Sequence, residues 1–424
     1  MKCRWLVPLL LACSSCASFS GPALQPEINN LVVADQVKLA ADKIEAASAD
    51  YGHGNYLLYY LDRGMVEYYA GLYSQSIVSF EKAKKRFDEL YTQSLSSEAA
   101  SWVGNDYSLP YRGTDHEYVL INVFQALNYL ALGNVNEALV EARDMDSKYQ
   151  VIDKAAAAAK RSRFEDNGFA RMFMGFVNEA TGRSDDRDNA RLFYQQAEQV
   201  YAQYYGGQYE PAVLKERARA LESGSSDADK AVVYVFQLAG FAPQKVQQSL
   251  PVPAGEGMIA QVAFPEYVKR YYAIHQGVLM VEGPNGYNRS VPTELGVSIE
   301  ELAIKDLESR KALLLTKGIL RPVVKVMLEQ REKELVKKKF GEPAAGLFGL
   351  VGSLYNVVSE RADLRSWQAL PAQIRVARLT LEPGHYHLRF DHQAEGGVLV
   401  ENVDLGGQDF LRGGTYFFVT RGRR

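Results

Sequence analysis

The 424-residue sequence predicts an α+β multidomain chain. An all-α, tetratricopeptide-like helical solenoid over residues 28–225 is followed by a β-sandwich-like domain over 226–424, with a helical insertion at about 298–363. Three observations predict it. Apolar residues recur at helical spacing, with glycine punctuation, up to about residue 222. A polar Gly/Ser stretch, "ESGSSDADK" from Glu222 to Lys230, then breaks the pattern. Short runs of β-branched and aromatic residues follow it.

The first sixteen residues have the layout of a signal peptide: Lys2 and Arg4, an apolar run from Trp5 to Ala12, then small residues through Ala17. The apolar run is too short to span a bilayer. All three cysteines, Cys3, Cys13 and Cys16, lie here and none follows, which favours a bacterial lipoprotein signal. Cys16 is the expected lipidation site, since it leaves a more usual signal length and no spare thiol in an oxidising compartment. Cys13, preceded by "LLA", is the alternative. Neither is followed by Asp, so by analogy with enterobacterial sorting the expected location is the outer membrane, facing the periplasm. A soluble secreted protein is the other reading.

The composition, 47% hydrophobic with a formal charge of -3, suits two or more globular domains with ample core. No basic excess points to nucleic acid. The 26 tyrosines concentrate in helical segments, where wide amphipathic rings fill interhelical packing.

Val123, Ala126, Leu127 and Leu130, then Val135, Ala138, Leu139 and Ala142, flank Gly133-Asn134, the pattern of a helix, tight turn and helix. Small Ala126 and Ala138 allow the close approach that a tetratricopeptide unit requires. The offsets recur in Gly64, Gly71, Ser76, Phe80 and Ala83, and again, with about three extra turn residues, in Gly175, Gly182, Ala190, Tyr194 and Ala197. Val32 to Ala47 and Pro211 to Glu222 read as flanking helices that cap the stack.

Seven strands are expected after the linker: 231–239, 257–265, 277–283, 373–381, 385–390, 397–405 and 415–420. "LEPGHYHLRF" reads as strand, Pro-Gly turn, strand. Between the third and fourth strands lie two helices, opened by a capping box at Ser298 and Glu301, then a glycine-spaced helix from Ala344 to Glu360.

Few residues suggest chemistry. No G-x-S-x-G elbow or Walker loop is present, and no cysteine remains after the signal region. His385 and His387 project from one face of a strand, but no cysteine or fixed acidic residue completes a ligand set. They and His392 therefore read as strand histidines, and no metal or other cofactor is expected. Asp185, Asp186 and Asp188 lack the glycine and final glutamate of a calcium loop. Candidate partner-binding residues are Asp363, Arg365 and Trp367, since Arg and Trp are favoured interface anchors. The same residues also fit a clamp with Trp367 buried and Arg365 paired to Asp363. Arg112, Glu141 and Arg143 suit a concave solenoid face, where Arg would receive a carboxylate or phosphate, or serve as internal ion pairs.

Four segments together, "YRGTDHEYVLINVFQALNYLALGNVNEALVEAR", "VVYVFQLAGFAPQKVQQSLPVP", "IEELAIKDLESRKALLLTKGILRPVVK" and "ERADLRSWQALPAQIRVARLTLEPGHYHLRF", resemble a family of uncharacterised bacterial tetratricopeptide-containing lipoproteins. The resemblance runs over nearly the whole mature chain and implies a periplasm-facing outer-membrane protein. It supplies no activity to carry over. The expected function is non-enzymatic: a lipid-anchored adaptor that binds envelope proteins through its repeats. An activator of a peptidoglycan synthase is an alternative, supported by association in the family. An envelope glycan binder, stacking sugars on Tyr386 or Tyr416, is another.

Overall fold

The computed structural model describes residues 21–96, 109–158, 167–205, 209–255, 258–311, 314, 338 and 361–423. Cys13, Cys16, the glycine-spaced segment and most of the expected insertion lie outside them. The fold is mixed: helices fill the N-terminal half and β-sheets the C-terminal half, with no barrel.

Helices α1 (Gly21–Val33) and α2 (Val37–Ala46) replace the single leading helix expected, because Asp35 between them has φ 61° and breaks the helical path. A short α3 (Ser48–Tyr51) follows. Three helical hairpins come next: α4 (Tyr56–Tyr69) with α5 (Tyr73–Ser96), α6 (Asp115–Ala131) with α7 (Val135–Ala158), and α8 (Gly168–Ala180) with α9 (Ser184–Tyr205). Each turn carries a left-handed glycine, Gly71, Gly133 or Gly182, with φ of 70°, 73° and 69°, a conformation that costs other residues steric strain. Helix α10 (Ala212–Glu222) closes the series.

Each hairpin is locked by a size-matched pair. A β-carbon at Gly64 would lie 2.6 Å from the Phe80 ring, and one at Gly175 would lie 2.1 Å from the Tyr194 ring. At the equivalent middle positions stand Ala126 and Ala142, both buried. Glycine faces an aromatic ring in the outer hairpins, and two alanines share the space in the middle one.

Among the described residues ten strands follow: β1 (Ala231–Ala239), β2 (Gln244–Gly255), β3 (Met258–Val268), β4 (Gln276–Glu282), β5 (Asn288–Pro292), β6 (Glu294–Ser298), β7 (Gln373–Leu381), β8 (Gly384–Gln393), β9 (Leu399–Phe410) and β10 (Thr415–Arg421). They form an inner sheet ordered β10-β1-β7-β6, an outer sheet ordered β5-β4-β8-β9, and a β2-β3 ribbon. Strands β2, β5 and β6 were not expected. Proline and glutamine in β2 and the brevity of the other two hide them from a β-propensity reading. Strands β7 and β8 flank the Pro-Gly turn, yet they do not pair: β7 bonds to β1 and β6, and β8 to β4 and β9. The turn carries the chain from one sheet to the other.

Strand β1 is buried on both faces. Tyr234, Phe236 and Leu238 join the helical core together with Ile374 and Val376 of β7. Val233 and Val235, with Ala377 and Leu379, pack instead against Leu279, Leu388 and Phe390 of the outer sheet. The period of two along a strand thus assigns alternate residues to two cores. The layers run helices, inner sheet, outer sheet. Helical and β segments share one hydrophobic cluster, although the secondary structure changes at the 222–230 linker.

The chain is helical again over 299–311 (α11), where Ser298 Oγ accepts the Glu301 N–H at 3.3 Å. Its Arg310 pairs with Asp115 at 2.7 Å and with Asp306 at 3.0 Å. Burial alone would raise the Asp306 pKa, but Arg310 and His116 hold it down to about 2. This ion cluster fixes α11 to the start of α6.

His392 is fully buried, with Nε2 2.9 Å from Thr420 Oγ1 and Nδ1 accepting from Gln237 Nε2 at 3.0 Å. Both ring nitrogens are engaged, so it belongs to the core. Burial, reinforced by Arg423 and Arg421, depresses its pKa to about 4. The unfolded chain therefore binds a proton on this ring between about pH 6.5 and pH 4 when the folded chain does not. The stability from keeping it neutral is complete above pH 6.5 and is lost as pH falls toward 4, by up to about 3 kcal/mol. Urea unfolding at pH 7 and pH 4.5 is expected to show a smaller drop for His392→Gln than for the natural chain.

Candidate interaction surface

The first helices of the hairpins offer no open groove. Helix α6 is buried along nearly its whole length, and α4 and α8 are buried over most of theirs. Their cover is the chain itself. Phe173 and Phe176 pack on Phe236 and Tyr234 of β1, with ring centroids 5.5 and 4.4 Å apart. Tyr69 donates to the Ala369 carbonyl at 2.9 Å. The first helices of the hairpins are thus covered by the inner sheet and by the segment preceding β7.

That segment contains Asp363, Arg365 and Trp367. Trp367 is 1% exposed and packs edge-on against Phe80 and Phe124. Arg365 is 3% exposed and makes a two-pronged pair with Asp363, at 2.8 and 2.7 Å. It also donates to Asn55 Oδ1 at 2.8 Å and to the Leu109 carbonyl at 3.0 Å. Glu117, at the start of α6, accepts from Thr114 N–H at 2.9 Å, from the Tyr111 hydroxyl, and from Trp367 N–H at 2.8 Å. The arrangement is the internal clamp. Two of the three residues offer almost no surface to a partner, because Arg365 is committed to Asp363, Asn55 and Leu109 and the Trp367 ring is packed against Phe80 and Phe124. Arg112, beside this clamp, is half-buried.

Glu141 and Arg143 tie neighbouring hairpins. The buried Glu141 carboxylate accepts from Lys84 of α5 at 3.0 Å and from Asn122 of α6 at 2.6 Å. Burial pushes its pKa up, against the pull of Lys84. Lys84 also reaches Asp144 at 3.2 Å. Arg143 is exposed and reaches Asp186 of α9 at 3.4 Å. Asp186, in the first turn of α9, also accepts from the Thr181 hydroxyl and Arg183, at 2.8 and 2.6 Å.

These ties bring α5, α7 and α9 side by side and leave their outer faces to solvent. A feature missed in the sequence lies there. Val78, Val140 and Leu192 stand two residues after the small buried positions Ser76, Ala138 and Ala190, one in each hairpin. They are 54%, 52% and 54% exposed. An exposed aliphatic residue repeated at one position is not required by any core. Aligning the hairpins on their small residues would have found it, whereas a search for charged motifs could not.

Elsewhere the clefts are closed by their own charges. One of about 300 Å³ lies between α10, the linker and the inner sheet. Its Arg217 is committed to Glu179 and Asp227, and its Arg378 to Asp227, Glu216 and the Tyr234 hydroxyl. Lys148, pushed down to about 8 by burial although Asp144 opposes the shift, is enclosed beside Asn122 and the Tyr118 ring. Tyr386 is buried against Tyr287 and Phe410 and has no free face for a sugar. Tyr416 is half-buried, and its hydroxyl accepts Leu411 N–H at 2.8 Å. Among the described residues no group of three or more metal-ligating side chains gathers, and no helix is long and apolar enough to cross a membrane. Comparison with protein families, curated proteins and solved structures finds no match to this chain.

The two predicted ties differ in burial, so their removal is expected to differ in cost. Glu141→Ala strands buried donors and lowers unfolding free energy by about 3–5 kcal/mol. Arg143→Ala breaks an exposed pair and costs about 1 kcal/mol or less. Equilibrium urea unfolding of the two variants checks the ranking.

Proposed function

We propose that this chain is a non-enzymatic, lipid-anchored adaptor of the bacterial outer membrane, facing the periplasm. It docks envelope proteins on the outer face of three degenerate tetratricopeptide-like hairpins. The observation that carries the reading is the repeated, half-exposed aliphatic residue on α5, α7 and α9, at Val78, Val140 and Leu192. Ion pairs from Lys84 to Glu141 and from Arg143 to Asp186 link the three helices in order, so the three side chains suit the apolar stripe of a helix laid across the row. Arg143 and Lys82 stand on the same helices as polar rim.

The rest of the chain has a supporting role in this reading. The two sheets form a sandwich-like domain that fills the concave side of the hairpins and keeps the outer face rigid. Anchoring is by the acylated Cys16, with Cys13 as the alternative. Several acyl chains at one cysteine hold a protein firmly where a single chain would be marginal.

The test is a crosslinked pull-down of the lipidated protein from its own envelope, beside a Val78→Asp, Val140→Asp, Leu192→Asp variant. The three sites are exposed, so the variant is expected to keep its melting temperature while losing its specific co-purifying proteins. An unchanged set of partners from a folded variant would overturn the reading.

A further inference from the structure

The exposed side of the outer sheet carries an arrangement that the adaptor reading does not use. Strands β8 and β9 are antiparallel neighbours, with His385 opposite Asp409 and His387 opposite Gly407. A bulge in β9 leaves Leu405 without a direct partner and brings Asp404 opposite Arg389. His385 and His387 lie two residues apart, so their rings rise from the same face. Both are accessible, at 67% and 41% of the side chain.

Each ring is held by one aspartate. His385 Nδ1 lies 2.8 Å from Asp409 Oδ1, and His387 Nε2 lies 2.9 Å from Asp404 Oδ1. A carboxylate only accepts hydrogen bonds, so these nitrogens carry the protons, and the opposite nitrogen of each neutral ring keeps its lone pair. Those opposite nitrogens converge. A β-carbon on Gly407 would lie 3.1 Å from His385 Nε2 and 3.4 Å from His387 Nδ1. No side chain stands between them because residue 407 has none.

We propose that His385 and His387 form a surface site for a divalent late transition metal of the zinc and copper class, bound through His385 Nε2 and His387 Nδ1. The donor set argues for that class: imidazole selects zinc, copper and nickel, whereas calcium and magnesium take oxygen ligands. The aspartates occupy the place that carboxylates take behind metal-binding histidines, fixing the tautomer and raising the basicity of the free nitrogen. Both nitrogens lie within 3.4 Å of one point beside Gly407, and rotation of the two exposed rings about their side-chain bonds brings them to one ion at the ~2.0–2.1 Å that zinc takes to imidazole. Two protein ligands leave the remaining positions to water, as an exposed, exchanging site requires.

Cupric ion is the probe, because its paramagnetic resonance spectrum registers bound nitrogens. Titrated into the full chain at pH 7.5, it is expected to bind at one equivalent with the hyperfine pattern of two imidazoles. His385→Ala and His387→Ala each abolish the two-nitrogen pattern, while Asp409→Asn keeps both ligands and weakens binding by about 10-fold. Gly407→Ala also keeps both ligands, but its methyl group enters the space between them and weakens binding. Thermal unfolding without metal is expected to be the same for the two histidine variants as for the natural chain, since both rings are exposed. A two-nitrogen signal that survives in either histidine variant, or no stoichiometric binding by the natural chain, would overturn the assignment.

Discussion

Strand β1 has apolar residues on both of its faces, and this burial governs the arrangement of everything around it. Tyr234 and Phe236 need a layer on one side, Val233 and Val235 on the other. Burying a side chain of this size is worth roughly 1.5–3 kcal/mol, so neither face can be left to water without a large loss. The hairpins answer one demand and the outer sheet the other. Helices that would otherwise present a concave groove are consequently drawn down onto the sheet.

The contact is made specific by groups that cannot be left unpaired. Glu117 collects donors from Tyr111, Thr114 and Trp367, and Arg365 spends its guanidinium on Asp363, Asn55 and the Leu109 carbonyl. Apolar layers alone could slide. A buried carboxylate with three donors is satisfied in one register only, since each unmade bond leaves a desolvated polar group behind. The sheet-facing side of the hairpins is therefore used for folding, and the outer sides of α5, α7 and α9 remain exposed.

Much of this was legible in the sequence. The hairpins showed in Gly71, Gly133 and Gly182 and in their small-residue companions, because turn chemistry and helical period are local. Strand β1 is legible to its ends from its near-continuous apolar run, the pattern of a strand buried on both faces, and β7 from β-branched and aliphatic residues interrupted by Arg375 and Arg378. The role of Arg365 and Trp367 stayed open, because a clamp and a partner anchor use the same residue types. The choice depends on Glu117, 250 positions away. The crossing from β7 to β8 was read as a hairpin because a Pro-Gly turn carries no mark of the sheet its next strand joins. His385 and His387 were visible as a same-face pair. Asp409, Gly407 and Asp404 were not, since the β8–β9 pairing that places the first two and the bulge that places the third are features of register rather than composition.

Helices and sheet form one cooperative body through their shared core. Native-state hydrogen exchange followed by mass spectrometry across a urea series tests it, comparing peptides from α6 with peptides from β1. One unfolding free energy and one urea dependence are expected for both, as for a single cooperative unit. Exchange of α6 through an opening at lower urea, with β1 still protected, would mean the hairpins fold separately and would contradict it.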